Sequence, residues 1–254
     1  MATIEGTTPL LELDTVTKSF GGLRALNGVS LKVRRGEVRS IIGPNGAGTT
    51  TLFNVITNFH PCTSGRVMYD GKDVTHVPAS SLVNNGLVRT FQRSSIFPKL
   101  TVRDNVLVPL FRRHGFRWNM FRPTRRLLHD ETMEVLESVG LAEQAGTRSG
   151  GMSHGYQRRL ELAIALANDP KLLLLDEPTA GMSVEESAQA MQLIVRLNQQ
   201  RGLTILFTEH DMSVVFTASH RITVLDFGRV IAEGTPDEIR ANPDVQRVYL
   251  GEDS

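Results

Sequence analysis

One stretch constrains this chain more than any other: Gly43-Pro44-Asn45-Gly46-Ala47-Gly48-Thr49-Thr50-Thr51. It follows an apolar run at 38–42 that reads as a buried strand. It precedes Leu52-Phe53-Asn54-Val55-Ile56, which reads as a helix. Strand, glycine-rich turn and helix is the context a phosphate-binding loop requires. Glycine admits positive φ and lets backbone N–H groups approach an anion closely. The helix N-terminus adds its partial positive charge. Against the pattern G-x-x-x-x-G-K-[ST], the chain supplies Gly43, Gly48 and Thr50 but carries Thr49 in the lysine position. No lysine occurs between Lys32 and Lys72, so no shift of register restores the motif.

A second element supports the first. Leu172-Leu173-Leu174-Leu175-Asp176-Glu177 is a continuous apolar strand ending in two acids. A carboxylate at the C-terminal end of a buried parallel strand sits where open α/β sheets bind ligands. Asp176 there can hold Mg²⁺ together with a loop hydroxyl such as that of Thr50. Glu177, one residue on, is placed to polarise an attacking water. Four leucines and two acids alone would read as a strand and a surface turn. The upstream phosphate loop raises them to a candidate site.

The rest of the chain reads as an α/β protein. Alternation at Leu11, Leu13 and Val16 begins one strand, alternation at Val29, Leu31 and Val33 predicts a second with one wet face, and with the buried strand at 38–42 these predict a mixed sheet at the N-terminal edge. Asp70-Gly71 predicts a hairpin after a strand at 65–69. From about residue 87 to residue 170 the pattern is mostly helical, at 102–108, 127–139 and 156–167. Strands return at 172–175 and 204–208, and a hairpin is expected around Asp226-Phe227-Gly228-Arg229. With 254 residues, 40% hydrophobic and 22% charged, the chain can bury a large core. Its net charge of +1 gives no bulk attraction to nucleic acid or an anionic surface. No apolar run is long enough to span a bilayer, and the first residues lack the pattern of a secretory signal. Cys62 is the single cysteine, a bystander thiol in a loop, which rules out an intrachain disulfide and points to a reducing compartment.

With both phosphate elements in view, the sequence resembles the nucleotide-binding subunit of ABC transporters, nearly end to end. Met152-Ser153-His154-Gly155-Tyr156-Gln157-Arg158-Arg159 resembles that family's signature loop, usually L-S-G-G-Q. Ser153 and Gly155 keep the second and fourth positions, while Met152, His154 and Tyr156 depart. A plain helix cap would account for Ser153 but not for the residues that follow. Gln92 resembles the Q-loop glutamine that senses Mg²⁺ and the γ-phosphate, and His210 the switch histidine. Phe20 resembles the aromatic that stacks on adenine. Ala180-Gly181-Met182-Ser183 stands where the family has S-A-L-D, without the aspartate.

The resemblance implies a P-loop NTPase cassette: a mixed β core, an antiparallel β subdomain and a helical subdomain inserted at about 87–170, the whole of 1–254 forming one nucleotide-binding domain. It implies ATP and Mg²⁺ as cofactors. The nucleotide would be held by Phe20 and by Gly43, Pro44, Asn45, Gly46, Ala47, Gly48, Thr49, Thr50 and Thr51, with Ser153 and Gly155 facing a nucleotide on another protomer. The metal would be held by Thr50, Gln92 and Asp176, and chemistry carried by Glu177, His210 and Gln92. A second cassette in a homo- or heterodimer, integral-membrane permease subunits and, indirectly, a periplasmic or extracellular solute-binding protein are the implied partners, at the cytoplasmic face of the membrane. Gln157-Arg158-Arg159-Leu160-Glu161, Tyr249-Leu250-Gly251-Glu252 and the basic, aromatic insert at 111–128 resemble the branched-chain amino acid importer type. That insert, with Arg112, Arg113, Arg117, Trp118, Arg122, Arg125 and Arg126, reads as a solvated connector rather than a nucleic-acid surface. The segment 92–104, with Ile96-Phe97-Pro98, is the expected grip on a permease.

Thr49 divides the functional readings. A lysine on the β/γ-phosphates contributes roughly 1.5–3 kcal/mol. Its loss should weaken nucleotide binding by about one to two orders of magnitude. Hydrolysis should suffer more, because the transition state gathers charge on the same oxygens. An importer ATPase therefore competes with a poorly hydrolysing partner in an asymmetric dimer, and behind both stands a non-transport ABC protein.

Overall fold

The computed structural model describes residues 8–90, 96–115 and 124–250. β1 (Leu11–Phe20) and β2 (Leu23–Val33) form the first hairpin, and β3 (Val38–Ile42) leads into α1 (Thr49–Ile56). β4 (Ser64–Tyr69) and β5 (Lys72–Asp73) follow, joined through Asp70 and Gly71. Both have positive φ (51° and 75°), as the expected tight turn demands. Next come α2 (Ala79–Asn84), β6 (Leu87–Arg89), α3 (Val102–Arg113), α4 (Thr124–Ser138) and α5 (His154–Leu166). The chain closes with β7 (Leu172–Asp176), α6 (Val184–Arg201), β8 (Thr204–Thr208), α7 (Met212–Ala218), β9 (Arg221–Asp226), β10 (Arg229–Gly234), α8 (Pro236–Arg240) and α9 (Pro243–Leu250).

Among the described residues the strands make two sheets. One is four-stranded and antiparallel, in the order β2-β1-β4-β5. The other is six-stranded, in the order β10-β9-β3-β8-β7-β6, parallel except for the β9–β10 hairpin. The expected mixed sheet at the N-terminal edge is therefore corrected. The early antiparallel strands form their own sheet, and the antiparallel edge of the mixed sheet comes from the end of the chain. Alternation on β1 and β2 marks one wet face but carries no information about which sheet they join. Residues 87–89, at the start of the stretch read as helical, are likewise a strand at the opposite edge of the parallel sheet. Three residues are too few for a periodicity to register.

The apolar strands are continuous in sequence because each faces two cores. Leu172 and Leu174 pack with Ile41, Leu52, Phe53 and Val67 between the two sheets and α1. Leu173 and Leu175 pack with Val38, Ile42, Val106 and Leu160 under the helices. The period of two sends alternate leucines to opposite layers. Burying one leucine fully is worth about 1.5–3 kcal/mol. α6 escaped the sequence reading although its start carries a capping box. The Glu186 N–H donates to Ser183 Oγ (3.2 Å), and the Ser183 N–H donates to Glu186 Oε2 (2.9 Å).

Candidate functional site

The loop at 43–51 leaves β3 at the carboxyl end of the parallel sheet, between β8 and β9. Gly46 and Gly48 have φ of 84° and 104°. A Cβ on Gly48 would stand 2.7 Å from the Ala25 carbonyl oxygen, and one on Gly43 would collide with the Leu225 carbonyl. Strands β2 and β9 thus leave room for glycine only. The Gly228 N–H donates to the Ala47 carbonyl (2.9 Å), so the β9–β10 turn braces the loop. The first bond of α1 runs from the Leu52 N–H to the Gly48 carbonyl (2.8 Å). The amides of residues 49–51 therefore have no intrahelical acceptor. Asn45, Gly46 and Thr50 are exposed, and Thr49 is half-buried as the first residue of α1. The loop has the shape of an anion cradle, with Thr49 at the position where the phosphate-loop pattern sets lysine.

Asp176 ends β7 and is buried, and both of its oxygens are occupied. Arg89 Nη2 donates to Oδ2 (2.6 Å) and Thr208 Oγ1 donates to Oδ1 (3.0 Å). Glu177 adopts φ of 49°, an uncommon region for a non-glycine residue, held there by its own N–H on Thr208 Oγ1 (3.1 Å) and on the Thr208 carbonyl (3.2 Å). Its Oε1 lies 3.0 Å from His210 Nε2. A carboxylate only accepts, so that ring nitrogen carries the proton. Beside this pair, buried Glu209 accepts from the Thr179 N–H (2.8 Å) and hydroxyl (2.6 Å). The loops after β7 and β8 are thus laced together side chain by side chain: Glu177 meets His210, and Asp176 is joined to Thr208 on the neighbouring strand. The lacing residues Arg89, Thr208, Glu209 and Thr179 were missed. No motif marks them; only their position on neighbouring strands does. Gln92 lies outside the described residues, as do Arg117, Trp118, Arg122, Gly251 and Glu252.

Ser153 and Gly155 open α5. Ser153 has the extended dihedrals of a helix cap but makes no side-chain cap bond, so capping does not explain it. With Gly155, Tyr156, Asp176, Met182 and Glu186 it lines a cavity of about 240 Å³. Residues 43–51 do not line that cavity. Where the resemblance sets an aspartate, Ser183 caps α6, a task for which serine and aspartate are about equally good. Phe20 is 43% exposed at the end of β1, with His60 edge-on at 5.6 Å and Lys18 Nζ 4.9 Å from its ring centre. It pairs with Leu23, two residues along β2 from the carbonyl that Gly48 packs on. Cys62 is half-buried, and burial pushes its thiol up, as suits an inert side chain. In the basic insert, Arg112 donates to Asn84 (3.0 Å) and Asn168 (2.8 Å), and Arg113 donates to the Ala167 carbonyl (3.2 Å) and pairs with Glu131. These two arginines are spent on the protein itself.

A strand-end loop of open amides at the same carboxyl edge of a mostly parallel sheet as an acid pair and a histidine is the arrangement of the ATP-binding cassette class, and the chain belongs to the ABC transporter family. The family model for ABC transporters matches residues 26–180, and the model for branched-chain amino acid ATP-binding cassette transporters matches residues 229–254. The chain is 41% identical over 251 residues to the high-affinity branched-chain amino acid transport ATP-binding protein BraF of Pseudomonas aeruginosa, covering 96% of this chain and 98% of that protein. A crystal structure of an ABC transporter cassette in its ADP conformation superposes with a TM-score of 0.85 at 30% identity, covering 96% of this chain and all (100%) of the other. A dimeric cassette in a post-hydrolysis state, bound to ADP and Pi, gives 0.76 at 29% identity over 89% of this chain and 98% of that one. Membership of this family carries nucleotide binding with it. No helix among the described residues is long and apolar enough to cross a membrane.

Proposed function

We propose that this chain is the ATP-binding subunit of an importer for branched-chain amino acids or related solutes, working as one cassette in which the helices between β6 and β7 form an inserted arm. The observation that carries the reading is the glycine-only loop at 43–51, opening at the same sheet edge as Asp176, Glu177 and His210. The loop amides and the N-terminus of α1 receive the phosphates, and Phe20 receives the base. Thr50 and Asp176 are hard oxygen donors of the kind Mg²⁺ takes, and with Gln92 they would hold it. That ion would neutralise charge on the phosphate oxygens. Glu177 orients and polarises water, and His210, protonated on Nε2, fixes the Glu177 carboxylate and can donate to a phosphate oxygen. With Thr49 in the lysine position, binding persists through backbone amides while turnover at the chain's own loop is weak.

A dimer is part of the same reading. The Ser153 hydroxyl, which makes no cap bond, and Gly155 serve a second cassette's nucleotide; the cavity they line does not include the loop of their own chain. This supports a second reading, in which the chain mainly completes the intact site of a partner in an asymmetric dimer. The permease grips the segment at 92–104 at the cytoplasmic face of the membrane. Phe97 is 51% exposed there, while its N–H donates to Asn105 Oδ1 (2.7 Å) and its carbonyl accepts from Asn105 Nδ2 (3.2 Å) and Ser149 Oγ (2.9 Å). Its backbone is pinned so that the ring stands out. A solute-binding protein completes the importer on the opposite face.

Calorimetry with Mg-ATP, followed by co-purification with the permease subunits, tests the reading. Heat of binding and a stable complex are expected. No heat, together with no retention by permease, would overturn it.

A further inference from the structure

The strongest unexplained feature is a buried arginine that bonds Asp176 of the candidate metal site and, on its other side, the helix that carries Thr50. Arg89 ends β6, and its side chain is 6% exposed. One arm of its guanidinium donates to Asp176 Oδ2 (2.6 Å) and the other to Asn54 Oδ1 (2.6 Å). Its plane lies 5.5 Å from the Phe53 ring centre. Asn54 belongs to α1, four residues after Thr50, so the two share one face of the helix a single turn apart. The guanidinium is therefore a rigid spacer between the helix that carries the Thr50 hydroxyl and the strand end that carries the Asp176 carboxylate. Thr208 fixes the other oxygen of Asp176, so the carboxylate cannot rotate. Each of its oxygens still has a second lone pair to offer.

We propose that Arg89 is a positioning residue that sets the gap between Thr50 and Asp176, and so the affinity of the nucleotide site for Mg²⁺. This rests on the assignment of that pair as the metal's holders. The planar fork is what the task needs. It bridges two acceptors at a set separation, which a lysine's single ammonium cannot do. A residue behind a metal ligand typically tunes metal affinity by 10- to 100-fold.

The test compares Arg89→Lys, Asn54→Leu and the double variant with the native chain. Binding of a fluorescent ATP analogue is titrated with Mg²⁺, then measured again in EDTA. Asn54→Leu removes the bridge without touching any charge, so it remains informative if the buried Arg89 variant folds poorly. The Mg²⁺ concentration for half-maximal binding should rise by about tenfold in each single variant. The double variant should be no worse than the worse single one, because both cut the same bridge. Affinity in EDTA should change by less than about twofold, since the loop amides are untouched. An unchanged Mg²⁺ requirement in Asn54→Leu, or equal weakening with and without Mg²⁺, would overturn the proposal. The same series is run in a Thr49→Lys background. If the native chain binds no nucleotide, the functional reading fails while the spacer is still measured.

Discussion

The phosphate loop and the acid–histidine corner lie at the same sheet edge but are built by opposite means. The loop at 43–51 is shaped by exclusion. Backbone from β2 and β9 crowds Gly43 and Gly48 so closely that only glycine fits, and the Gly228 amide props the Ala47 carbonyl. No side chain at position 49 takes part in that shape. The corner formed by 176–179 and 208–210 is shaped by attachment. Thr208, Glu209, Thr179 and Arg89 each hold a neighbour through a side-chain bond of 2.6 to 3.1 Å. A loop built from backbone keeps its shape whatever side chain stands at position 49. A corner built from side chains loses its geometry when any one of them changes. A substitution at position 49 should therefore leave the fold intact, whereas a comparable change at Thr208 should be felt in stability.

That contrast can be broken or sharpened by substitution. The largest effect is expected at the reacting end of the corner. In a Thr49→Lys background, Glu177→Gln should lower ATP turnover by about 10²- to 10⁴-fold while nucleotide affinity holds. A parallel loss of affinity would mean Glu177 shapes the site rather than acting on water. Next comes Thr49→Lys alone. Nucleotide should bind about 10- to 100-fold more tightly, with a larger gain in turnover and an unchanged melting temperature. Equal turnover in the two chains would sink the idea that Thr49 impairs chemistry.

A smaller effect is expected for Thr208→Val, which removes the donor to Asp176 and the acceptor for the Glu177 amide. Denaturant unfolding should show a loss of about 1–3 kcal/mol. A neutral result would argue that the corner is not held by attachment. The smallest effect belongs to the cap of α6. Ser183→Ala should cost about 1 kcal/mol by urea unfolding. Glu186 gives this cap a pH signature, because its carboxylate is held below the usual range by the Ser183 backbone N–H first and its hydroxyl second. A carboxyl group with a depressed folded pKa stabilises above its unfolded value and ceases to as pH falls through the folded one. The cost of Glu186→Gln, which removes the titrating carboxylate, should therefore shrink on acidification below about pH 4. A cost that is flat from neutral to acid pH would exclude the box.

Much of this was legible along the chain. The loop, the leucine strand with its acids, and the order of Ser153, Asp176 and His210 are local or periodic signals, and a resemblance to a family can be carried on them. The Asp70-Gly71 turn was equally plain, since its residue types alone favour positive φ. What stayed hidden were relations between strands. Arg89 and Asp176 are far apart in sequence and neighbours only because β6 pairs with β7. Ser153 looked like a helix cap or an anion ligand, and only the structure shows that its side chain makes no cap bond.

By itself, then, the amino-acid order determined which segments could be strands or helices, where a phosphate could be cradled, and that the customary cation was missing. Those properties follow from side-chain period, glycine sterics and the identity of residue 49, all read within a few neighbours. The tertiary structure decided which sheet each strand joined, that Glu177 meets His210, and that one buried guanidinium spans the loop's helix and the acid. Such outcomes depend on contacts between residues distant along the chain, and packing of the whole core selects among them.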